Sequence, residues 1–168
     1  QEVSFTYRKP GEKAATARQV EPYHLTSREN LWYLIGRDVA AGPVKTFALP
    51  RIREVKTAKT TFVRPEDFSP ERFFAGALGV MGGTGNYAVK IRFDAAVADH
   101  VRERHWHESQ EIEENADGGL VLSLRLGALG EVERWVLGWG AAAEVLEPGE
   151  LRAQVAAAQA VAKRYRGK

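Results

Sequence analysis

The chain has 168 residues, of which 44% are hydrophobic, and it contains no cysteine. This composition suits one or two small globular domains and excludes disulfide bonds, thiol nucleophiles and cysteine-ligated metals. No apolar run reaches the roughly 18 residues that a transmembrane helix needs. The net charge of +2 conceals an asymmetry, because residues 1–64 carry 12 Lys and Arg against 6 Asp and Glu, whereas residues 65–168 carry 12 against 16. The basic first part suits either a polyanionic partner or a solvated surface without one.

Short extended segments dominate the first 64 residues. Val3, Phe5 and Tyr7 alternate with polar side chains, which predicts a half-buried strand. Further apolar or alternating runs are separated by turn formers, so we predict five strands in total, at 2–8, 16–25, 31–37, 44–49 and 51–59. Short strands in such number, without a helical period, are typical of a small β-barrel or sandwich.

A different composition marks residues 65–86, which we predict to be a linker between two domains. Ser69 as an N-cap and Pro70 at the first helical position predict a short helix at 69–74. Five glycines follow between residues 76 and 85. Because neither a preceding strand nor a Gly-Lys-Ser or Gly-Lys-Thr sequence accompanies them, a flexible connection explains them better than a phosphate-binding loop does.

Strand and helix patterns alternate in residues 87–168. Asp94 is a candidate N-cap, and Asp117-Gly118 is a hairpin turn signal. The predicted elements follow the order β-α-β-β-α-β of the ferredoxin-like arrangement, and a last helix has a basic end that suits the helix dipole. The predicted bounds are 87–93, 95–105, 108–114, 119–126, 130–139, 142–146 and, for the last helix, 149–165.

The histidines do not form a recognisable catalytic or metal site. His105 and His107 have the spacing of a strand, and His100 lies about one helical turn earlier, but no carboxylates stand at ligand spacing. A cluster at a domain edge that packs Trp106 explains them better than zinc binding does. The sequence contains no Gly-x-Ser-x-Gly elbow and no evident nucleophile–base pair. We therefore predict that the chain is not an enzyme and uses no metal or cofactor.

Arginines and aromatic residues are interleaved along the predicted β domain. Trp32 and Leu34 share one strand face and are expected in the core, whereas Tyr33 lies on the other face and can either hydrogen-bond internally or stack on a base. Guanidinium groups match phosphate oxygens and also stack on bases. This chemistry indicates a site for a nucleotide or a single-stranded nucleic acid, although a plain surface role is open for each residue. Tyr7 and Tyr23 lie near the candidate anion-binding residues, which are Arg8, Arg18, His24, Arg37, Arg51 and Arg53.

Several spaced motifs resemble those of WYL-domain proteins. The segment 30–38, Asn-Leu-Trp-Tyr-Leu-Ile-Gly-Arg-Asp, contains the Trp-Tyr-Leu triplet for which that family is named. Segments 18–25 and 46–53 flank it as they do in the family. Further segments resemble the C-terminal extension, termed WCX, that follows many WYL domains, and these are 105–110, 134–140 and 144–148. The resemblance therefore covers nearly the whole chain.

The resemblance implies a bacterial transcription regulator with an α+β architecture. A small Sm/SH3-like β-barrel, the WYL domain, is expected at 1–64. A linker with a short helix is expected at 65–86, and a ferredoxin-like WCX extension with a terminal helix at 87–168. A winged helix-turn-helix domain that binds promoter DNA is expected before residue 1, outside this piece of the protein. The resemblance also implies a cytoplasmic homodimer that does not associate with membranes.

The resemblance further implies that the β domain senses an effector, either a nucleotide or a short single-stranded nucleic acid. When the pocket of the family is carried over to this sequence motif by motif, the main effector-binding residues are Tyr7, His24, Tyr33 and Arg51. Arg8 and Arg18 are secondary members of the set. The chain departs from the family pattern Thr-Phe-Arg-Leu-Asp-Arg-Ile at two positions. Ala48 removes a guanidinium, and Pro50 removes a carboxylate and a backbone donor. The expected consequence is a site that is less basic or that binds a different ligand.

An assembly module is the alternative function. In that case the two domains hold the dimer of a regulator and bind no small ligand, which exposed apolar residues such as Trp135, Trp139 and the terminal helix would favour. Substitution of Arg51 separates the two hypotheses, because only a binding site predicts a lost response with an intact dimer.

Overall fold

Two compact units make up the chain in a computed structural model, which describes residues 1–80, 83 and 85–161. The first unit is Gln1–Arg72, and the second begins at Phe73. The described residues form two antiparallel sheets and four α-helices, so the fold is a mixed α+β fold. None of the helices within these residues is long and apolar enough to span a membrane.

A five-stranded antiparallel sheet forms the first unit. Its strands are β1 (Val3–Tyr7), β2 (Thr16–Arg28), β3 (Leu31–Asp38), β4 (Val44–Ala48) and β5 (Ile52–Thr57). Their spatial order is β4-β3-β2-β1-β5, and a short 3₁₀ turn at Leu49–Arg51 connects β4 to β5. All five predicted strands are present. β2 continues to Arg28, three residues beyond its predicted end at residue 25.

Aromatic rings dominate the core of the first unit. Phe47 packs edge to face against both Phe5 and Tyr7, with ring centroids 5.3 Å apart in each pair. Val20 and Leu34 complete this buried cluster. The prediction that Leu34 lies in the core is therefore confirmed.

Trp32, in contrast, is 54% exposed, so the prediction that it lies in the core is wrong. The reason is the length of the β2–β3 ribbon, which continues past the core to a two-residue turn at Glu29 and Asn30. Both turn residues have positive φ, as a type I′ hairpin turn requires. Trp32 pairs with Ser27 close to this turn, so its side chain lies beyond the core of the sheet.

The second unit contains a four-stranded antiparallel sheet with helices. Its strands are β6 (Tyr87–Phe93), β7 (Glu111–Glu114), β8 (Leu120–Leu126) and β9 (Ala143–Glu147), in the spatial order β7-β8-β6-β9. A short helix, α1 (Pro70–Phe74), begins in the last residues of the first unit and ends in the second. The second unit also contains two connecting helices, α2 (Ala95–Arg102) and α3 (Gly130–Leu137), and a last helix, α4 (Gly149–Val161). From β6 to β9 the elements follow one another as β-α-β-β-α-β.

The ends of several elements differ from the predictions. α2 ends at Arg102 rather than at residue 105, α3 ends at Leu137 rather than at 139, and β7 begins at Glu111 rather than at 108. Asp94 occupies the N-cap position of α2 in an extended conformation, but its side chain makes no capping hydrogen bond. The predicted end of the last helix, 162–165, lies outside the described residues.

The predicted N-cap of α1 is confirmed. The hydroxyl oxygen of Ser69 accepts a hydrogen bond from the backbone amide of Arg72 at 3.2 Å. Because Arg72 is the third helical residue, this is the bond that a serine N-cap makes to an otherwise unpaired amide.

An aromatic cluster packs against the core of the second unit. Phe93 is fully buried, and its ring lies edge to face with Trp135 at 5.6 Å and with Trp139 at 5.5 Å between centroids. Trp106 adds a third indole, 4.8 Å from Trp135, and its Nε1 donates to the carbonyl oxygen of Val101 at 2.9 Å. Trp135 and Trp139 are therefore half-buried members of this unit's core, and the expectation that they form an exposed assembly surface is wrong.

The described part of the glycine-rich segment packs against the loop that follows β8. The amide of Gly85 donates to the carbonyl oxygen of Gly127 at 3.0 Å, and the amide of Gly127 donates to that of Gly76 at 2.7 Å. A Cβ atom on Gly127 would lie 2.3 Å from the carbonyl oxygen of Gly83. Glycine is needed here because the two backbones approach so closely. These glycines are thus packed against that loop, and the flexibility of the segment stays a prediction.

Gly127→Ala is expected to lower the free energy of unfolding by about 1–3 kcal/mol, because the new methyl group forces two backbones apart. Urea denaturation followed by circular dichroism measures this change. Gly130→Ala is the matched control, since a Cβ at that position meets nothing within 4 Å. Equal stability of the two variants would contradict the prediction.

Candidate anion-binding site

A small cavity in the first unit gathers three arginines. Its volume is about 300 Å³, and its lining residues are Thr6, Arg8, Ala15, Pro50, Arg51 and Arg53. We refer to it as the basic cavity. All three arginines are exposed, and none of the described residues that line the cavity is an aspartate or a glutamate.

Strand pairing brings two sides of the basic cavity together. Thr6 lies on β1 and Arg8 directly follows its end, two residues further along, so both side chains line the basic cavity. β5 pairs with β1 in a register that places Thr6 opposite Arg53. Residues that are about 45 positions apart in sequence thus meet on one surface.

The 3₁₀ turn before β5 places the third arginine. Arg51 is the last residue of this turn, and Pro50 stands near its start. The Nη1 atom of Arg53 donates to the carbonyl oxygens of Pro50 and Ile52, both at 2.8 Å. Arg53 therefore fixes the turn that carries Arg51.

Among the residues that the structure describes, none forms an ion pair with an arginine of the basic cavity. The side chains of Arg8 and Arg51 form no ion pair and no hydrogen bond with any residue that the structure describes. Elsewhere arginines are paired, as Arg102 is with Glu114 at 2.7 Å. Unpaired guanidinium groups around one concave surface attract anions and offer them several N–H donors.

A larger cavity lies on the opposite face of β1. Its volume is about 600 Å³, and we refer to it as the apolar cavity. Apart from His24 and the buried Tyr23, its lining residues are aliphatic, aromatic or proline. The full set is Val3, Phe5, Pro22, Tyr23, His24, Leu25, Leu34, Leu49, Ile52 and Val55.

A β-bulge in β5 determines which of its side chains face each cavity beyond Arg53. The pairing register shifts between Ser4 and Thr6, so that Glu54 and Val55 together face Phe5. Glu54 has a φ of 55°, and such left-handed residues are typical of some bulges. The extra residue turns Val55 toward the apolar cavity, whereas the arginine before the bulge lines the basic cavity.

The structure brings together only part of the set that we predicted to bind the effector. Arg8 and Arg51 lie together in the basic cavity. His24 lines the apolar cavity on the other face. Tyr33 is half-buried on β3 and is among the lining residues of neither cavity.

The two remaining members of that set make internal contacts. Tyr7 is 7% exposed, and its hydroxyl oxygen accepts a hydrogen bond from the amide of Ala48 at 3.2 Å. The Nη1 atom of Arg18 lies 3.6 Å from a carboxylate oxygen of Asp38. Tyr7 is buried in the core and Arg18 is paired with Asp38, so neither residue lines the basic cavity.

Three lining residues of the basic cavity, Thr6, Ala15 and Pro50, are not among the predicted binding residues. Thr6 could have been found from its two-residue spacing to Arg8 on a predicted strand. Pro50 was noticed only as a departure from the family pattern. Arg53 was in the wider set of candidate cations, and its register with β1 explains why it belongs to the site.

Two buried carboxylates bind other cationic side chains of this unit. Asp38 is 1% exposed and lies 3.1 Å from the Nζ atom of Lys45. Burial raises its pKa, but hydrogen bonds from Lys45 and the backbone outweigh burial, so the pKa of Asp38 is below its usual value. Hydrogen bonds from Arg37, including one of 2.7 Å from its Nε atom, lower the pKa of Glu21 against the opposing effect of burial.

The free energy of unfolding is expected to fall as the pH drops below about 4. Asp38 and Glu21 have lower pKa values in the folded chain than in the unfolded chain. Their stabilising contribution is therefore complete above the unfolded values of about 3.9 and 4.3, and it is lost as the pH falls through the folded values. Urea titrations at a series of pH values measure this loss. Asp38→Asn is expected to make the fall shallower, and an unchanged pH dependence in that variant would contradict the assignment.

His107 has a structural role in the second unit. It is buried, with its Nε2 atom 2.8 Å from the carbonyl oxygen of Ala75 and its Nδ1 atom 2.7 Å from the hydroxyl oxygen of Ser109. Across the described ranges, no three or more His, Cys, Asp or Glu residues are arranged to hold a metal ion. The basic cavity therefore remains the strongest candidate site.

Two family models match this chain. A WYL domain matches residues 1–57, and a WCX domain matches residues 85–162. The chain thus contains a WYL domain followed by a WCX domain.

Known relatives are longer than this chain. Protein PafB of Mycobacterium leprae (strain TN) is 29% identical over 168 residues, which cover 92% of this chain and 47% of PafB. PafB of Mycobacterium tuberculosis (strain H37Rv) is 26% identical over 170 residues, with coverages of 94% and 47%. The chain thus spans about half the length of the curated relatives it matches.

A solved structure supports the fold. A CRISPR Cas-related protein has 11% sequence identity to this chain and a TM-score of 0.60. The alignment covers 99% of this chain and 49% of that protein. At this identity the similarity concerns the fold alone.

Proposed function

We propose that this chain is the ligand-sensing region of a bacterial DNA-binding transcriptional regulator. Its effector is a nucleotide or a short single-stranded nucleic acid that binds at the basic cavity. The observation that carries this proposal is the convergence of Arg8, Arg51 and Arg53 on one cavity whose described lining has no acidic residue. Phosphate oxygens are the natural partners of such guanidinium groups. The matches to the WYL and WCX domain models support the regulatory role.

A finer architecture belongs to the same proposal. The first sheet is an Sm/SH3-like barrel within a domain at 1–64, and a ferredoxin-like domain at 87–168 follows a linker at 65–86. The sheet order β7-β8-β6-β9 and the β-α-β-β-α-β chain order support the ferredoxin-like interpretation.

Regulation requires coupling to DNA in the whole protein. A winged helix-turn-helix domain outside this piece binds promoter DNA, and the regulator acts as a cytoplasmic homodimer. The effector changes DNA binding only if it binds two arrangements of that dimer with different affinity, because an equal affinity shifts no equilibrium.

Fluorescence anisotropy with a labelled oligothymidylate tests the proposal on this chain. We expect saturable binding whose association constant falls with salt, because bound phosphates release counterions. Engagement of three phosphates predicts a slope of about −2 in a plot of log K against log salt concentration. Undetectable binding, or binding that does not depend on salt, would contradict the proposal.

A second candidate function is an assembly module, and exposed apolar side chains favour it. Leu25 and Trp32 are each 54% exposed, and Val55 is 61% exposed. Single exposed apolar residues are common, whereas neighbouring ones are typical of a contact surface, and Leu25 and Val55 both line the apolar cavity. Sedimentation velocity of Trp32→Ser and Arg51→Gln separates the functions. Loss of self-association only in Trp32→Ser, together with no oligonucleotide binding by the unsubstituted chain, would favour assembly.

A further inference from the structure

The side chains around the basic cavity offer no ring on which a base can stack. Among the described residues that line it, none is aromatic. Tyr7 and Tyr23, which the sequence placed near the arginines, are each only 7% exposed. The hydroxyl group of Tyr23 also donates to Glu21 at 3.1 Å. Binding of single strands through their bases depends on such rings, so the cavity lacks the usual means of base recognition.

The charge of the basic cavity favours a multiply charged anion over a neutral ring. Three arginines face the cavity, and Pro50 stands in its wall where the family pattern has an aspartate. The wall therefore lacks the carboxylate that would neutralise one guanidinium group. We expected a less basic site from the sequence, but Ala48, the other departure, is buried at 1% exposure and is not in this wall.

Phosphate groups at the end and in the middle of a strand differ in charge and in shape. An internal phosphodiester carries one negative charge. A terminal phosphate monoester carries about −1.5 to −2 near pH 7 and presents three acceptor oxygens. Each guanidinium group presents a planar set of N–H donors. A monoester can therefore accept hydrogen bonds from more of the guanidinium groups in one cavity than a diester can.

We propose that the basic cavity binds the terminal phosphate monoester of a nucleotide or nucleic-acid strand, independently of the base attached to it. This inference rests on the proposed function and narrows it to a class of effector. Arg8 and Arg51 supply forks that no described residue engages, and Thr6 supplies a hydroxyl group. Arg53 uses one nitrogen to hold the turn and thereby fixes the third guanidinium at the wall.

Competition anisotropy with four unlabelled strands of equal length tests this proposal. They are an oligothymidylate with hydroxyl groups at both ends, the same strand with a 5′-phosphate, the same strand with a 3′-phosphate, and a 5′-phosphorylated strand of abasic sugar units. We expect at least one phosphorylated oligothymidylate to bind about tenfold more tightly than the hydroxyl strand, since one further charge-assisted hydrogen bond has this effect. The abasic strand is expected to bind as tightly as the 5′-phosphorylated oligothymidylate.

Two controls separate recognition of a terminal phosphate from general charge attraction. A hydroxyl-ended strand that is one nucleotide longer has the extra phosphate in an internal position, and we expect it to bind no better than the shorter strand. Arg51→Gln is expected to reduce the tenfold preference to about twofold or less. Arg125→Gln removes an exposed arginine from β8 in the second unit and should leave the preference unchanged.

Each outcome of these measurements decides a different claim. Salt-dependent binding with equal affinity for hydroxyl and phosphorylated ends overturns this inference but leaves the proposed function standing. A preference that persists in Arg51→Gln, or weak binding of the abasic strand, also overturns it. Absence of binding by all four strands overturns both the inference and the proposed function.

Discussion

Arg51→Glu is expected to weaken oligonucleotide binding about 100-fold, because it removes a guanidinium fork and places a repelling carboxylate in the basic cavity. Arg51 is exposed at the end of the 3₁₀ turn and makes no ion pair with a described residue. Its substitution therefore leaves no buried group unpaired, and the free energy of unfolding should change by less than about 0.5 kcal/mol. Anisotropy titration and urea denaturation of the same sample measure the two effects.

The matched control for this charge reversal is Arg125→Glu, on the exposed side of β8 in the second unit. It changes the net charge by the same amount at a residue that does not line the basic cavity, and we expect affinity within about twofold of the unsubstituted chain. If Arg51→Glu and Arg125→Glu weaken binding equally, the anion is attracted by overall charge and the basic cavity is not its site.

Phe93→Ala is expected to lower the free energy of unfolding of the second unit by about 3–5 kcal/mol. The ring is fully buried on β6 and lies edge to face with two indoles, Trp135 and Trp139. Alanine leaves a cavity beneath both indoles and removes two aromatic contacts, each of which contributes beyond the buried area. Urea denaturation followed by circular dichroism measures the loss.

Val63→Ala is the control for this core substitution, because Val63 is 89% exposed and its truncation should change stability by less than about 0.5 kcal/mol. A loss below about 1 kcal/mol in Phe93→Ala would show that the aromatic cluster does not hold the second unit together. Oligonucleotide affinity provides a further check, since the basic cavity belongs entirely to the first unit.

Local patterns in the sequence were sufficient to predict most strands. Val3, Phe5 and Tyr7 repeat with the period of a strand, and the structure pairs this segment with two neighbours. The same reasoning placed Trp32 in the core, but burial depends on how far a ribbon extends beyond its sheet. That distance follows from the turn with positive φ at residues 29 and 30. The alternation of apolar and polar residues along a strand does not predict it.

The caps of helices and the packing of glycines were harder to predict than the strands. Asp94 has the right residue type and position for an N-cap, yet its side chain makes no capping bond. Gly127 contacts a segment about 45 residues earlier in the chain, so the need for glycine there is visible only in the folded structure. Contact between distant segments therefore decides the packing of this glycine.

The sequence was sufficient to predict the residue types of the candidate site, but only some of the residues that lie together in it. Arg8 and Arg51 were identified as anion-binding residues from their type and their place in family motifs, and the structure brings them together. Arg18 was indistinguishable from them in sequence, but β2–β3 pairing places Asp38 beside it. The β-bulge at residues 54 and 55 is also a product of strand pairing, and it determines which side chains of β5 face each cavity.

The most direct test of an anion site built from these arginines is to observe their guanidinium groups during a titration. Two-dimensional proton–nitrogen spectra of the arginine Nε–H groups, recorded while oligothymidylate is added, provide that measurement. We predict saturable shifts at Arg8, Arg51 and Arg53, with little change at Arg37 and Arg102, which are already paired with carboxylates. Shifts confined to other arginines, or a uniform drift of all of them, would contradict the assignment of the basic cavity as the binding site.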